Sequence, residues 1–267
     1  MTQIALLADL HFGSVPEGLA EQLHADLERL GPDLIVIAGD MTLRSKRREF
    51  RQAKAWLETL RVPLLLLPGN HDLPVWNLVE RFTMPFARYT HNVGRPLMPV
   101  FEDESVFVVG LNTTASWQPN FRWQEGTARR RDIEAARRLL AEAPLNKTLM
   151  VATHHPLAPV EGFPRVRPAR RAMRVLEMLN AMGVEMVMSG HIHQAFAIEL
   201  QQSPGCLVAV GAPTALSWRM RGEPNGFWCI DVLPDRFKPT LHSFNGTAFT
   251  ASREPLVFHR AHRSRGH

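Results

Sequence analysis

Five short polar clusters interrupt this chain, and each directly follows a run of apolar residues. Ile4-Ala5-Leu6-Leu7-Ala8 runs into Asp9-Leu10-His11, and Leu34-Ile35-Val36-Ile37-Ala38 runs into Gly39-Asp40. Residues 63–67 precede Gly69-Asn70-His71-Asp72, residues 148–153 precede His154-His155-Pro156, and residues 185–189 precede Gly190-His191-Ile192-His193. Helical spacing separates several of these runs, at about 16–30, 46–60, 129–141 and 169–182. All-apolar strands alternating with amphipathic helices predict an α/β protein with a parallel sheet covered on both faces. In such sheets the carboxyl ends of the strands share one edge, where ligands bind. The clusters therefore converge on one crevice, with Gly39, Gly69 and Gly190 expected to supply sharp turns just before the functional side chains.

Residues 73–99 carry a weaker signal, a short helix near 76–82 and then an irregular stretch, before a strand at 106–111. After His193 the character changes. Residues 196–200, 206–210, 227–232 and 238–244 read as short strands with no helix between them, predicting a second, mostly antiparallel sheet packed on the first. With 267 residues, 45% of them hydrophobic, and no linker, one domain over residues 1–258 is expected, followed by a basic, flexible tail at 259–267. No run of eighteen apolar residues suits a membrane span, and Met1-Thr2-Gln3 enters a strand without a signal-like basic region, so a cytoplasmic protein is expected. Cys206 and Cys229 are too few for a disulfide framework and read as buried thiols. The formal charge of +5 is scattered, which reads as a solvated basic surface, not a nucleic-acid face.

The twelve histidines are the informative excess. Imidazole and carboxylate together suit manganese, iron, zinc or cobalt, and the absence of thiolates argues against a zinc ribbon or an iron–sulfur centre. Asp9, His11, Asp40, Asn70, His154, His191 and His193 are more donors than one ion needs. Two ions sharing a carboxylate use them fully and can clamp a phosphoryl group. The outlying His24, His91, His242, His259, His262 and His267 read as solvent-facing, and Met178, Met182, Met186 and Met188 as core packing.

In this order, D-x-H, G-D, G-N-H-D, H-H-P and G-H-x-H resemble the signature of the calcineurin-like metallophosphoesterases, most closely bacterial class III cyclic-nucleotide phosphodiesterases and glycerophosphodiesterases. The resemblance spans residues 9–193. It implies a four-layer αββα sandwich of two mixed β-sheets flanked by helices, with a binuclear centre of two divalent ions (manganese or iron, with zinc possible) at the strand ends. It also implies that Asp9, His11 and His193 hold one ion, that Asn70, His154 and His191 hold the other, and that Asp40 bridges them. His71 would face the leaving group, Asp72 would orient it, and His155 would contact substrate. The activity implied is hydrolysis of small phosphodiesters such as 3′,5′- or 2′,3′-cyclic nucleotides, by in-line attack of a hydroxide held between the ions. The alternatives are a nuclease of the double-strand-break-repair type, a phosphomonoesterase, or a non-catalytic scaffold on the same fold; a homodimer is left open. Substrate choice is expected in loops 112–126, 157–168 and 213–225. There Trp117, Phe121, Trp123, Phe163, Arg165, Arg167, Trp218, Arg219 and Arg221 read equally well as base-stacking and phosphate-gripping groups or as loop packing.

Overall fold

Alternation along the first strand sorts the side chains into two cores. In β1 (Thr2–Leu7) the side chains of Ile4 and Leu6 join one buried cluster, and those of Ala5 and Leu7 join another. The same split recurs in β2 (Leu34–Ile37) and β3 (Leu64–Leu66). Leu34, Val36 and Leu65 meet the first cluster, whereas Ile35, Ile37 and Leu66 pack with helices α1 (Leu19–Leu30) and α2 (Arg47–Leu57). A computed structural model describes residues 1–94, 96–117, 123–160, 167–202 and 205–260 of the chain.

The elements continue through α3 (Leu78–Thr83), α4 (Ala87–Val93), β4 (Val100–Glu102) and β5 (Val106–Gly110). Next come α5 (Arg130–Glu142), β6 (Thr148–Ala152), α6 (Ala172–Ala181) and β7 (Met186–Ser189). The chain then runs through strands alone: β8 (Phe196–Gln202), β9 (Gly205–Gly211), β10 (Gly226–Val232), β11 (Arg236–Phe244), β12 (Phe249–Ala251) and β13 (Phe258–His259). One sheet has the order β12-β11-β10-β1-β2-β3, with β13 also on β11, and the other has the order β4-β5-β6-β7-β9-β8. Parallel pairs run to one edge of the first sheet, β1 with β2 and β2 with β3, and fill the middle of the second, from β5 through β6 and β7 to β9.

The inner faces of the two sheets meet. Val106, Val108, Met150, Met186, Met188, Val208 and Val210 of the second sheet share one core with Ile4, Leu6, Val36, Trp228 and Ile230 of the first. The outer face of the second sheet packs on α5 and α6 through Ile133, Leu140, Val175 and Leu179. The result is four layers, helix–sheet–sheet–helix.

Two expectations are corrected here. The parallel strands do not form one sheet, because β5–β7 begin a second sheet of their own. Nor do the late strands form a separate antiparallel sheet: β8 and β9 extend the second sheet, while β10–β13 extend the first. Helix α4 fell in a stretch expected to be irregular. It is anchored by the fully buried Tyr89, whose hydroxyl donates to the Leu66 carbonyl at 2.9 Å.

Met186 and Met188 belong to the core between the sheets, and Met178 and Met182 pack, partly buried, against the core under α5 and α6. Cys229 is a buried free thiol, pushed by burial up to about 12 and so kept protonated, whereas the side chain of Cys206 lies outside the described residues. His242, expected in solvent, instead stacks on Phe227 at 5.0 Å and is half-buried. Of the expected tail, His259 closes β13 and Arg260 pairs with Glu185 at 2.8 Å; residues 261–267 lie outside the described residues. No helix among the described residues is long and apolar enough to cross a membrane.

Candidate metal centre

Strained backbone brings the functional side chains into the crevice. Among the described residues, seven non-glycine residues adopt positive φ, and five of them belong to the clusters: Asp9 (55°), His11 (48°), Asp40 (55°), His191 (74°) and His193 (60°). Asp and His tolerate this left-handed region better than β-branched residues, at a cost of about 1–3 kcal/mol each. The strand ends are tied together as the chain turns. Asp9 N donates to Gly39 O and His11 N to Asp40 O, both at 3.0 Å, and Gly190 N donates to His154 O at 3.0 Å.

The three glycines divide in role. Gly39 has φ 91°, as the turn expectation requires, but Gly69 (φ −106°) and Gly190 do not occupy the left-handed region. Those two are needed for space. A Cβ on Gly190 would lie 2.4 Å from Ala8 Cβ, and one on Gly69 would lie 2.0 Å from Asp40 Oδ1.

The seven expected ligand residues come together at the ends of β1, β2, β3, β6 and β7. Donor atoms of Asp9, His11 and His193 lie within 4.8 Å of one another, as do those of Asp9, Asp40 and His154. The two carboxylate oxygens of Asp40 face opposite halves, Oδ2 lying 3.9 Å from His11 Nε2 and Oδ1 3.5 Å from His154 Nε2. Asn70 Oδ1 stands 3.2 Å from His154 Nε2, and the His191 ring lies 5.1 Å from that of His154.

Backbone carbonyls fix which nitrogen of each ring faces inward. Nδ1 of His11 faces Thr42 O (3.3 Å), that of His154 faces Ala38 O (2.7 Å), and that of His193 faces Arg219 O (2.8 Å). A carbonyl only accepts, so each Nδ1 carries the proton and each neutral ring turns an Nε2 lone pair toward the centre. Asp9 Oδ1, buried, has no hydrogen-bond partner, although His193 Nε2 and His11 Nε2 stand 3.1 and 3.7 Å away. Lone pairs facing a buried carboxylate oxygen are repulsive unless a cation or a proton lies between them, so this donor set fits divalent metal.

With no cation between them, the carboxylates instead favour a second proton, on Nε2, for two of these rings. Burial opposes charge on His154, but the Asp40 carboxylate outweighs it and lifts the imidazole to about 9. His193 is raised against burial in the same way by Asp9. Burial and neighbouring imidazoles hold His191 well below the usual histidine range, and burial takes His11 down to about 4. Asp40 stays well below the usual carboxylate range despite burial, because His154 and His71 face it.

His71 sits beside this cluster at the mouth of a cleft of about 530 Å³, lined also by Asp40, Asn70, His191, His193 and four arginines. Its Nδ1 faces Leu43 O at 2.6 Å, and Arg219 Nη1 lies 3.1 Å from its Nε2. Two expectations fail. Asp72 does not orient the His71 ring. Its carboxylate is 1% exposed and accepts from Gly69 N (2.9 Å), Met41 N (3.2 Å), Thr42 N (2.8 Å) and Thr42 Oγ1 (2.9 Å), pinning the Asp40 turn to the Asn70 turn. Burial, then the Asp40 charge, pushes Asp72 up to about 6. His155 is not among the residues lining the cleft; it is fully buried against His154 and His191, with ring separations of 4.6 and 4.5 Å and a donor atom within 4.8 Å of theirs, and its Nδ1 faces Thr113 Oγ1 at 3.0 Å.

The carbonyls that orient the rings were missed from sequence because a carbonyl has no side-chain signature. Of the expected specificity residues, Arg167, Arg219 and Arg221 line the cleft. Phe121, Phe163 and Arg165 lie outside the described residues, as does the side chain of Trp123.

Two mixed sheets packed face to face gather imidazoles and carboxylates at their strand ends into a candidate metal centre. The chain belongs to the calcineurin-like phosphoesterase family, whose pattern matches residues 2–195. It is 27% identical over 248 residues to a "probable cyclic nucleotide phosphodiesterase" of Synechococcus sp., covering 87% of this chain and 88% of that one. It is 26% identical over 207 residues to the 3′,5′-cyclic adenosine monophosphate phosphodiesterase of Escherichia coli K12, covering 74% and 70%. Among solved structures, a dimetal phosphatase from Danio rerio shares the fold, with a TM-score of 0.69 at 14% identity over 97% of this chain and 99% of that one.

Proposed function

We propose that this protein hydrolyses small phosphodiesters, cyclic nucleotides among them, at a centre of two divalent ions such as manganese or iron. The observation that carries the reading is the pair of donor clusters facing the two oxygens of Asp40, with His71 Nε2 at the adjoining cleft. Asp9, His11 and His193 would hold one ion, Asn70, His154 and His191 would hold the other, and Asp40 would be shared. When bound, the ions make water acidic enough to attack at neutral pH and polarise the phosphoryl oxygens.

The chain's own groups then do the rest. The carbonyls of Thr42, Ala38 and Arg219 keep the imidazoles in the tautomer that presents Nε2. The Asp72 carboxylate holds the two turns carrying Asp40 and Asn70 in register. His71 commits Nδ1 to the Leu43 carbonyl and accepts from Arg219 Nη1 at Nε2, so Nε2 passes a proton to the leaving oxygen only when the ring is protonated and released from Arg219. In the hydrolysis, the oxygen of water bonds to phosphorus, the bond from phosphorus to the leaving oxygen breaks, and that oxygen takes up a proton. The diester preference is supported by the relatives, two of which are named as cyclic-nucleotide phosphodiesterases.

A paired assay tests this reading. Bis(p-nitrophenyl) phosphate and p-nitrophenyl phosphate are compared under identical manganese, before and after exhaustive chelation. The expected result is a higher kcat/KM for the diester and loss of activity on chelation, restored by manganese. A kcat/KM well above the diester's for the monoester would make the protein a phosphatase. Full activity after chelation would overturn the metal mechanism.

A further inference from the structure

Against the second half of the centre stands a histidine with an unspent nitrogen. His155 is 0% exposed, and its Nε2 has no hydrogen-bond partner. Among the described residues only three buried side-chain polar atoms lack one: Asp9 Oδ1, Thr127 Oγ1 and His155 Nε2. Asp9 Oδ1 stands among the donors that fit the first ion. A buried polar atom without a partner is costly and calls for a cause.

The His155 ring is set as the ligand rings are. Nδ1 of His11, His154 and His193 each faces an oxygen, leaving Nε2 for the centre. Nδ1 of His155 likewise faces an oxygen, Thr113 Oγ1 at 3.0 Å. That hydroxyl also accepts from His155 N at 3.1 Å, and its two lone pairs serve both donors, which leaves a lone pair on Nε2. The Gln124 backbone reaches this ring too, but makes no hydrogen bond to Nε2. Gly126 closes the ring in from one side: a Cβ there would lie 2.4 Å from His155 Cγ and 2.5 Å from Nδ1.

Three imidazoles therefore converge. The His155 ring lies 4.6 Å from that of His154 and 4.5 Å from that of His191, which are themselves 5.1 Å apart. One donor atom from each lies within 4.8 Å of the other two. The second metal position thus has two overlapping donor sets. Asp40, Asn70, His154 and His191 mix carboxylate and amide oxygen with imidazole, which suits manganese. His154, His155 and His191 are all imidazole, and three imidazoles with one open position are a donor set that zinc takes.

We propose that the second metal position takes zinc through His154, His155 and His191, and manganese through Asp40, Asn70, His154 and His191. His155 then decides which metal this position prefers, without touching substrate. The inference rests on the two-ion reading above and assigns a metal preference to one of its positions.

The test is metal affinity in the metal-depleted full chain, titrated with zinc against a chromophoric chelator and with manganese by the paramagnetic resonance of the free ion. His155→Phe keeps the volume of the ring and removes the donor. The second equivalent of zinc is expected to bind at least about 100-fold more weakly in this variant, since loss of a group merely behind a ligand already costs about 10–100-fold. Manganese affinity is expected to stay within about threefold, because its donor set is untouched. Should the variant fold poorly, the unaltered protein loaded with cadmium-113, the heavier congener of zinc, decides the matter. Coupling to imidazole nitrogen-15 is expected from His155 as well as from His11, His154, His191 and His193. Zinc and manganese weakened alike would make His155 a packing residue. Unchanged zinc affinity, or no cadmium coupling to His155, would likewise overturn the site. Binding of fewer than two equivalents of either metal by the unaltered protein would instead refute the two-ion reading beneath it.

Discussion

Replacing Gly69 with alanine tests whether the centre depends on close approach more than on backbone freedom. Gly69 has φ −106° and ψ 179°, a conformation any residue adopts, so the substitution carries no dihedral strain. The added Cβ would lie 2.0 Å from Asp40 Oδ1, 2.3 Å from Asp40 N and 2.7 Å from Asp40 Cγ. Ordinary contact begins at 3.4 Å, so the carboxylate oxygen must retreat by about 1.4 Å. The Asp40 backbone has little room to help. Its carbonyl accepts from His11 N, its Oδ1 accepts from His71 N at 2.7 Å, and the next two amides are held by Asp72.

Ligand distances tolerate only about ±0.2 Å, so the shared carboxylate should lose one of its two roles and at least one ion should be lost. A misplacement of about 1 Å near reacting groups costs on the order of 100-fold in rate. Overpacking should cost about 1–3 kcal/mol of stability, leaving the protein folded. The assays are metal content per chain after dialysis, thermal melting, and turnover of bis(p-nitrophenyl) phosphate. Gly18→Ala is the control. Gly18 has φ 76° with open space around it, so alanine there should cost only about 1 kcal/mol of backbone strain and leave metal content intact. If Gly69→Ala keeps its full metal content and a turnover within about threefold of the parent, the close-approach argument is wrong.

Asp72→Asn should lower stability by about 2–4 kcal/mol, because one carboxylate oxygen is replaced by an NH₂ that faces amide donors, and it should weaken metal retention with no separate dependence on leaving group. Denaturant titration and metal analysis check this, and a rate defect confined to poor leaving groups would return Asp72 to the chemistry. His71→Ala should keep both ions and lose about 10²–10⁴-fold on a ribose or alkyl ester but much less on a nitrophenyl ester, and equal losses on both would remove His71 from catalysis. Asp26, on α1, accepts from Phe249 N (2.7 Å), Gln22 Nε2 (3.0 Å) and Arg29; although burial opposes its charge, these contacts hold its carboxyl below the usual carboxylate range. A carboxyl lowered on folding stabilises above its unfolded value, and that stability is lost as pH falls through the folded one. Asp26→Asn should therefore reduce stability at pH 7 and flatten its decline on acidification, and parallel acid limbs for the two proteins would contradict this.

The donor side chains that the fold gathers were legible because each cluster is local: an apolar run, a small residue where needed, then Asp, Asn or His within three positions. A strand end places such a cluster at the sheet edge whatever the rest of the chain does. The helices α1, α2, α5 and α6 were legible for the same reason, since a 3.6-residue period is read within one segment. Sheet membership was not. The strands β1–β3 and β5–β7 are apolar on both faces, and nothing in them distinguishes a face that meets helices from one that meets another sheet. Only non-local pairing, β10 on β1 and β9 on β7, decided that the late strands divide between two sheets. The same limit applied within the centre. Asp72 and His155 have the residue types of catalytic groups and lie beside ligands in sequence, yet one pins two turns together and the other is sealed behind the rings. Arg219 lies 148 residues from His71, and only the fold places its guanidinium on that ring. The chemistry of the donors belongs to the sequence, whereas tertiary packing decides which donors reach the cleft, because reach depends on what each side chain packs against.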